Sequence, residues 1–393
     1  MLVIKNNMEI KSILDNDLYK FSMGYAYMKM YPDAEGQFVF INRNKTSYDN
    51  FTVQLIKDTI KQLDQLQLTN EECEWATKNI PYIPQFYWEW LKGFRFESDK
   101  VNIVRLVDGT LNITVTDKLY KATLYEVPIL AIISSILNST HVYDKGVMYK
   151  KLDEKINLSN EYQLYFSEFG TRRRFNYQVQ HDIVKELSQK AHFCTGTSNV
   201  HLAMKFGMKP IGTVAHEWIM FHGANFGYKM ANYKAFEAWT EVFDGSLGIA
   251  LTDTYGTDIF FKNLSLKHAK LFDGLRQDSG DEIEFVNKAI HRYKELGINP
   301  LLKTIVFSNA LDFPKFKEIA EYCKGKIGMC AAGIGTNLSN DIGYKPANIV
   351  MKLTACRMNN KQNWIDCIKL SDDPEKHMGN PKEIEICKYE IGK

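Results

Sequence analysis

The sequence has no strong net charge, no paired-cysteine motif and no long hydrophobic run. Among 393 residues, 49 Lys and Arg nearly balance 47 Asp and Glu, which gives a net charge of +2. This balance argues against a protein that coats nucleic acid or binds membranes through a polybasic surface. The seven cysteines are scattered and odd in number and form no CxxC pair. They therefore argue against a disulfide framework or a structural zinc site and favour reduced thiols.

Targeting and membrane segments are also missing from the sequence pattern. The first residues, MLVIKNNMEIK, carry charges and amides before any apolar core forms, so they do not resemble a signal peptide. The longest apolar run, residues 127–137, has only eleven residues and is too short to span a bilayer. It is better interpreted as a core helix. We expect a soluble, cytoplasmic protein that binds neither nucleic acid nor membrane.

The apolar pattern changes near residue 150. Before that point, alternating aromatic and aliphatic residues predict strands of a mostly antiparallel region, in the stretches QFVFI, FRFES, VNIVRLVDG and LNITVTD. A helix is predicted after Thr69, because Thr69 as N-cap and Glu72 three residues later form a capping box. The first part of the chain should therefore be rich in strands.

After about residue 170 the pattern alternates between short apolar strands and amphipathic helices. Helices are predicted over 175–191 and 281–296, the second ending at Gly297. The predicted strands are KPIGTVA, SLGIALT, FDGLRQ, TIVFS and KIGMCAA. Most successive strands start roughly 25–35 residues apart, which is typical of βαβ units. This pattern predicts an α/β fold with a parallel sheet, as a barrel or as an open doubly wound sheet.

Each predicted strand ends in polar residues or glycine. The carboxyl ends of parallel strands share one face, and ligands bind there. The sequence therefore predicts one pocket built from five strand ends, namely His216–Glu217, Asp253–Thr254, Arg276 with Asp278 and Ser279, Ser308–Asn309, and Gly333 with Gly335 and Thr336.

The stretch GTVAHEW, residues 212–218, places a histidine and a carboxylate at the end of a predicted strand. A single histidine at such a position is more often structural than catalytic, although its ordinary pKa suits a nucleophile or a proton acceptor. Neighbours on a strand point to opposite faces, so Glu217 should not orient His216. Asp253, at the end of the next strand, is the better candidate partner.

Two further stretches suggest ligand binding but also have structural interpretations. In RQDSGD, Arg276 and Asp278 lie on the strand-end side and are the functional candidates, whereas Asp281 is expected to cap the following helix. Two carboxylates at this spacing suit a sugar diol or hydrated Mg²⁺. The glycines of GIGT, residues 333–336, would let backbone amides approach a phosphate. The sequence contains no P-loop and no GxGxxG motif.

Two other motifs are ambiguous from spacing alone. TRRRF, residues 171–175, can direct only one or two of its three arginines inward, where a guanidinium would bind a carboxylate or phosphate. LDNDLYKF, residues 14–21, is by default a helix start capped by Asp15 or Asn16.

Together these stretches resemble the nicotinate phosphoribosyltransferase family. The motifs occur in the family's order, as LDNDLYKFSM, EFGTRRRF, GTSN, GTVAHEW, LTDTYGTD, GLRQDSGD, FSNALDF, GIGTNLSND and NIVMKL. The resemblance implies an irregular parallel α/β barrel over residues 151–350. It also implies a smaller strand-rich α+β domain, built mainly from residues 1–150, on which residues 351–393 pack back.

The resemblance also implies an activity. Family members transfer phosphoribosyl from phosphoribosyl pyrophosphate to nicotinate, giving nicotinate mononucleotide and pyrophosphate, and couple this to ATP hydrolysis through a transient phosphohistidine. That histidine corresponds to His216. Mg²⁺ would accompany the pyrophosphate without direct protein ligands, and the protein would be a homodimer with shared active sites.

Specific roles follow from the same resemblance. His216, Asp253 and Asp278 are the expected catalytic residues, with Asp253 hydrogen-bonded to the histidine. Tyr19 from the partner subunit is expected to stack on the pyridine ring opposite Phe169. The expected nicotinate-binding residues are Tyr19, Phe169, Arg172, Ser198, Thr213 and Arg276. The expected phosphate-binding residues are Arg276, Ser308, Asn309, Gly333, Gly335 and Thr336.

Three alternative functions are possible on the same scaffold: use of nicotinamide, use of quinolinate, and nucleotide sensing without catalysis. Relatives that use nicotinamide carry an aspartate where Ser198 stands, so the neutral serine favours the acid. Relatives that use quinolinate lack the phosphorylatable histidine. A non-catalytic nucleotide sensor would bind phosphoribosyl pyrophosphate without turnover. Departures from the family pattern are Val214, usually methionine, and Gln277, usually histidine, which puts a direct role for position 277 in doubt.

Overall fold

The computed structural model describes residues 8–393. These residues form two β-sheets with helices packed around them. The strands are β1 (Glu35–Asn42), β2 (Val101–Arg105), β3 (Leu111–Lys118), β4 (Tyr165–Glu168), β5 (Cys194–Thr197), β6 (Ile249–Leu251), β7 (Gly274–Gln277), β8 (Thr304–Phe307), β9 (Met329–Ile334), β10 (Ile349–Arg357) and β11 (Ile365–Asp366). The α-helices are α1 (Leu18–Met30), α2 (Asn50–Lys61), α3 (Asn70–Asn79), α4 (Gln85–Gly93), α5 (Leu119–Ala122), α6 (Glu126–Asn138), α7 (Lys145–Tyr162), α8 (Tyr177–Lys190), α9 (Val200–Phe206), α10 (His216–Phe226), α11 (Ala231–Phe243), α12 (Thr257–Asn263), α13 (Leu266–Leu271), α14 (Glu282–Glu295), α15 (Phe313–Cys323), α16 (Thr336–Ser339) and α17 (Pro381–Ile391).

The first sheet is antiparallel and joins N-terminal strands to C-terminal ones in the order β11-β10-β1-β3-β2. The predicted strands within QFVFI, VNIVRLVDG and LNITVTD are confirmed as β1, β2 and β3. The strand predicted for FRFES, residues 94–98, is wrong. The Glu97 amide donates to the hydroxyl of Tyr125. The Ser98 amide donates to the carboxylate of Asp64. Side chains, and not the backbone of a neighbouring strand, therefore accept these two backbone hydrogen bonds.

The second sheet is parallel and has the order β5-β4-β9-β8-β7-β6. The strands predicted from SLGIALT, FDGLRQ, TIVFS and KIGMCAA are confirmed as β6 to β9. Sequence patterning missed β4 and β5. Each has only four residues, and β5 reads CTGT, which contains no apolar run. The α/β class predicted from the repeated strand–helix pattern is confirmed.

The segment 209–215, predicted as the strand KPIGTVA, is not a strand. Pro210 has no N–H to donate to a ladder. Gly212 has φ 148°, and a Cβ there would lie only 3.1 Å from the Tyr19 amide nitrogen. His216 is consequently the first residue of helix α10 and not the last residue of a strand.

This irregular segment nevertheless joins the two edges of the parallel sheet. At the β5 edge, the Thr197 amide donates to the Lys209 carbonyl, and the Ile211 amide donates to the Thr197 carbonyl. At the β6 edge, Oγ1 of Thr213 donates to the Ile249 carbonyl at 3.2 Å. The sheet therefore curls around an interior without a closed ladder, as in the irregular barrel that the resemblance implies.

Several helices begin and end where the capping residues in the sequence predict. Thr69 and Glu72 form both hydrogen bonds of the predicted capping box. The helices predicted over 175–191 and 281–296 are α8 and α14. Asp281 caps α14 by accepting from the Glu284 amide, as predicted.

The predicted cap of α1 is wrong, because Asp17 and not Asp15 or Asn16 precedes the helix. The run 127–137 forms the buried helix α6, as predicted. Among the described residues, the stretch Leu119–Asn138 is the one that is long and apolar enough to be a candidate membrane span. However, 78% of its most apolar 18-residue segment is buried in the protein. It is therefore a helix of the core.

Residues 367–378, here called the C-terminal strap, follow β11 and cross the carboxyl ends of the parallel strands. The Leu370 amide donates to the Thr254 carbonyl at 2.7 Å. The Asp372 amide donates to Oγ of Ser279 at 3.2 Å. The C-terminal part of the chain thus contributes to both sheets and brings side chains to the predicted pocket.

Candidate active site

A cavity of about 690 Å³ opens at the carboxyl ends of the parallel strands and continues along the interior of the curled sheet. A smaller cavity of about 80 Å³ adjoins it beside His216. Both are lined by the same five side chains: Tyr19, Phe169, Arg172, Arg276 and Asp278. The predicted convergence of strand ends is therefore present.

His216 lies at the centre of a buried polar cluster and is 5% exposed. Its Nε2 atom is 2.9 Å from Oδ2 of Asp278 and 3.0 Å from Nζ of Lys369. Its Nδ1 atom is 3.1 Å from Oγ1 of Thr254. Burial, together with the Lys369 ammonium, lowers the pKa of His216 to about 4. The ring is therefore neutral at pH 7 and has a lone pair available for a nucleophilic role.

Asp278 connects the histidine to the cavity. Its Oδ1 atom accepts from Oγ of Ser308 at 2.7 Å and from Arg276 at 3.3 Å. Arg276 also donates to Ser308 and to the Val214 carbonyl, which fixes the guanidinium. Burial opposes ionisation of Asp278, but the charges of Arg276 and Lys369 and the hydrogen bond with His216 hold its pKa well below the usual value. The carboxylate is therefore ionised at the mouth of the cavity.

Asp253 lies beneath this cluster and is fully buried. Its Oδ2 atom accepts from Ser279 at 2.7 Å and from Ser371 of the C-terminal strap at 3.0 Å. Its Oδ1 atom is 3.7 Å from Nε2 of His216 and has no hydrogen-bond partner. The predicted hydrogen bond between Asp253 and the histidine is therefore absent. Asp278 and Thr254 lie at hydrogen-bond distance from the ring instead.

Glu217 is turned away from its neighbour, as predicted, but for a different reason. In the first turn of α10, consecutive residues point about 100° apart, and the carboxylate accepts from Lys20 at 2.6 Å and from Thr123 at 2.5 Å. Lys20 is also 2.5 Å from Glu126. These contacts fasten the start of α10 to α1 and α6.

The three consecutive arginines have separate environments. Arg174 is fully buried and donates to Asp15, to Glu9 and to Gln180. Arg172 and Arg173 both line the larger cavity. Two of the three arginines therefore face inward, which is the upper limit that the sequence allowed.

Arg172 stands at the aromatic end of the cavity. Its guanidinium carbon is 5.9 Å from the centre of the Tyr19 ring. Its nearest carboxylate oxygens belong to Glu126 and Asp17, at 3.6 and 3.9 Å, which is beyond hydrogen-bond distance. The guanidinium therefore keeps donors available for a ligand.

Arg173 lines the larger cavity, and its backbone carbonyl accepts from the side-chain amide of Asn340, a few residues after the glycine turn at the end of β9. Burial and the neighbouring charges of Arg172 and Arg43 lower its pKa to about 10, so it stays charged at pH 7. Gly333, Gly335 and Thr336 line the same cavity. A Cβ on Gly333 would lie 3.3 Å from the Phe169 ring, and one on Gly335 would lie 3.2 Å from the Phe169 carbonyl oxygen. Small residues are therefore required where this turn meets the aromatic ring.

The chain is similar to known proteins over nearly its whole length. The nicotinate phosphoribosyltransferase (NAPRTase) family matches residues 164–390, and the N-terminal domain of that family matches residues 14–134. A nicotinate phosphoribosyltransferase from Desulforapulum autotrophicum is 42% identical over 96% of this chain and 98% of its own length. The crystal structure of the enzyme from Porphyromonas gingivalis is 45% identical, with a TM-score of 0.96 over 98% of this chain and 100% of that chain.

This chain belongs to the nicotinate phosphoribosyltransferase family. A relative from Methanosarcina mazei, 38% identical over 98% of both chains, carries the same name. The family resemblance recognised from the ordered motifs is thus confirmed over nearly the whole length.

Most of the residues expected at the nicotinate phosphoribosyltransferase site do line the cavity. These are Tyr19, Phe169, Arg172, Thr213, Arg276, Asp278, Ser308, Gly333, Gly335 and Thr336. Tyr19 of the same chain lines the cavity, and the contribution of Tyr19 by a partner subunit stays a prediction. The α1 helix places it there because Gly212 allows the close backbone approach.

Two expected contacts are not present on the cavity wall. Ser198 is fully buried, and its hydroxyl donates to Oδ1 of Asp17 at 2.7 Å and not into the cavity. Asn309 accepts from Lys376 of the C-terminal strap at 2.7 Å. Neither residue is among those that line the cavity.

The family departure at Gln277 has a structural explanation. Its side-chain amide is buried and donates to the carbonyls of Ser279 and Gly280, at 2.7 and 2.8 Å. It therefore shapes the turn that carries Asp278. A direct catalytic role for position 277, doubted from sequence, is not supported by this geometry.

The cluster does not provide a separate metal site. One ligand atom each from His216, Asp253 and Asp278 lies within 4.8 Å of the others, which is close enough to hold a cation. However, the Lys369 ammonium already lies 3.0 Å from His216 and 3.4 Å from Asp253. Its charge would repel Mg²⁺, so these residues do not fit direct ligation of a divalent ion.

Because Arg174 and Arg172 have different surroundings, we expect their replacement to change the stability of the protein by different amounts. Arg174→Met should lower the free energy of unfolding by about 3–5 kcal/mol, because it leaves the fully buried Asp15 without its cationic partner. Arg172→Met should cost less than about 1 kcal/mol, because that side chain is 33% exposed and makes no close ion pair. Urea unfolding of both variants measures the difference, and equal losses would contradict this assignment.

Proposed function

We propose that this protein transfers phosphoribosyl from phosphoribosyl pyrophosphate to nicotinate, forming nicotinate mononucleotide and pyrophosphate, with coupling to ATP hydrolysis. The observation that carries the proposal is the buried His216, linked through Asp278 and Arg276 to a cavity flanked by aromatic rings and a glycine turn. Family membership and the names of its relatives support the same reaction. This reaction supplies a pyridine nucleotide for NAD biosynthesis.

Nicotinate would lie in the part of the cavity that Tyr19 and Phe169 line. Their faces provide apolar contact for a flat pyridine ring, and Arg172 provides donors for its carboxylate. Such positioning would place the ring nitrogen towards the ribose carbon that it attacks. Holding both substrates in this geometry accounts for much of the acceleration expected of such an enzyme.

The phosphoribosyl group would lie over the glycine turn. Gly333, Gly335 and Thr336 present small residues and a hydroxyl to the 5′-phosphate, and Arg173 adds a charge without an ion-pair partner among the described residues. Arg276 would hold the departing pyrophosphate, which Mg²⁺ would accompany into the site. The fixed guanidinium stabilises negative charge as the bond to ribose breaks.

ATP would enter the reaction through His216. A neutral ring nitrogen can accept the γ-phosphoryl group, and the ring is buried beside the cavity. Breakdown of that phosphohistidine would then favour product formation and release. Dimerisation and cytoplasmic location remain predictions of the family resemblance and of the sequence, respectively.

Preference for the acid over the amide should depend on Arg172. We expect Arg172→Met to raise the KM for nicotinate about 10- to 100-fold, because charge-assisted hydrogen bonds to the carboxylate are lost. The KM for nicotinamide should change much less. Steady-state kinetics with both bases measure this split.

Arg173→Met is the matched comparison for this experiment. It should raise the KM for phosphoribosyl pyrophosphate and leave that for nicotinate nearly unchanged, because we assign Arg173 to the subsite of the 5′-phosphate. If wild-type protein used nicotinamide with the higher kcat/KM, the proposed substrate would be wrong. If both arginine variants affected the same substrate, the assignment of subsites would be wrong.

A further inference from the structure

Lys369 reaches the catalytic cluster on the C-terminal strap, from a part of the chain that the strand-end pattern did not include. The strap is held in place on both sides of Lys369. The Cys367 amide donates to the Thr354 carbonyl at 2.8 Å. Ser371 donates to the buried Asp253 at 3.0 Å. These contacts fix the backbone on either side of the lysine and direct its side chain inward.

The ammonium group of Lys369 has few partners other than the catalytic residues. The residue is 6% exposed, and its Nζ atom lies 3.0 Å from Nε2 of His216 and 3.4 Å from Oδ2 of Asp253. Asp253 and Asp278 together carry two negative charges here. Lys369 and Arg276 balance these two charges without any charge on the histidine ring.

We propose that Lys369 is the cationic partner of His216 in phosphoryl transfer, keeping the ring neutral before transfer and binding the phosphoryl oxygens afterwards. The proposal rests on the ATP-coupled function proposed above. Nζ of Lys369 contacts the imidazole ring that would receive the phosphoryl group, so the lysine would act directly on the phosphorylated intermediate.

The chemical step places specific demands on this neighbour. The unprotonated ring nitrogen attacks the γ-phosphorus of ATP, the N–P bond forms, and the bond from phosphorus to the β–γ bridging oxygen breaks. ADP leaves with the electron pair. The phosphoryl group then brings negative charge next to two carboxylates, Asp253 and Asp278. An ammonium within hydrogen-bond distance offsets that repulsion.

The charged groups around the ring determine the expected pH dependence. Asp253 faces it from the end of β6, Asp278 and Arg276 from the end of β7, and Lys369 from the strap. Glu217 on α10 is turned away and paired with Lys20. Removing the lysine charge leaves two carboxylates facing the ring, so protonation of His216 becomes easier.

The test uses the whole protein with Lys369→Met and Lys369→Gln, either of which removes the charge if the other does not fold. The pKa of His216 is measured by NMR of ¹³C-labelled histidine, assigned with His216→Asn. Phosphorylation by γ-³²P-ATP is measured at pH 6 and pH 8. We expect the pKa of His216 to rise by about three units from its value of about 4. About nine-tenths of the rings would then be protonated at pH 6, so labelling at pH 6 should fall about tenfold relative to pH 8.

Two further variants separate a charge effect from a packing effect. Lys369→Arg keeps the charge and should keep the wild-type ratio of labelling at the two pH values. Lys303→Met removes another buried ammonium, which donates to the Phe272 carbonyl at 2.6 Å far from His216, and should also keep that ratio. An unchanged His216 pKa in the neutral variants, with labelling reduced equally at both pH values, would overturn the proposal.

The outcome also distinguishes this proposal from the function on which it rests. If wild-type protein took no acid-labile phosphate, the ATP coupling and the phosphoryl-binding role of Lys369 would both be wrong. If wild-type protein were labelled normally but the neutral variants kept the wild-type pKa and labelling, only the role of Lys369 would be wrong.

Discussion

Replacing His216 by alanine is expected to abolish acid-labile phosphate on the protein after incubation with γ-³²P-ATP. The ring is the buried, neutral nucleophile of the cluster, with a pKa of about 4. None of its other polar neighbours at hydrogen-bond distance, Asp278, Thr254 and Lys369, is a comparable phosphoryl acceptor. Nicotinate mononucleotide formation should fall to the rate measured without ATP.

The matched control for this variant is His291→Ala. His291 lies on the exposed surface of α14, and its side chain is 77% exposed and paired with Glu295. This control should be labelled like the wild type and keep its ATP stimulation. Acid-stable label that persists in His216→Ala would rule out a phosphohistidine at this position.

Replacing Asp278 by asparagine should lower kcat by roughly 10²- to 10³-fold, the size of effect seen when a preorganised charged group at a reaction centre is removed. The carboxylate accepts hydrogen bonds from Ser308 and Arg276 and contacts His216. Asparagine keeps the shape but removes the charge that organises these groups. Phosphohistidine formation and phosphoribosyl transfer should both slow.

Asp281→Asn provides the control for this prediction, because it lies three residues further along the same turn. Asp281 caps α14 and faces away from the cavity. Asparagine is an equally good N-cap, so both stability and kcat should stay close to wild type. Similar losses of kcat in the two variants would show that the turn matters for structure and not for charge at the reaction centre.

The parallel half of the fold could be predicted from the sequence because local and global signals agree there. Strands β6 to β9 are short apolar runs followed by helices with clear caps, such as Asp281 on α14. Their polar ends had to meet at one face once the sheet was parallel. Arg276, Asp278 and Ser308 were therefore found together as expected.

Other parts depended on tertiary contacts that no local pattern shows. Residues 209–215 are apolar like a strand, but Pro210 and the approach of α1 to Gly212 prevent a regular ladder. The strands β4 and β5 are too short and too polar to be recognised. In each case packing between distant segments decided the conformation.

The site residues missed by the sequence come from the same kind of contact. Lys369 lies in the irregular C-terminal strap that follows a two-residue strand, so neither hydrophobic periodicity nor motif spacing indicated it. A lysine followed by Ser371, which binds Asp253, was the available signal, but its meaning depends on the fold. The different roles of the three consecutive arginines also required the positions of Asp15 and Glu9.

The most direct measurement of the central claim is a chromatographic product assay with phosphoribosyl pyrophosphate and each base, with and without ATP. We predict nicotinate mononucleotide and pyrophosphate from nicotinate, a higher rate with ATP together with ADP release, and little product from nicotinamide. Binding of phosphoribosyl pyrophosphate without turnover of either base, or faster turnover of nicotinamide than of nicotinate, would contradict the account.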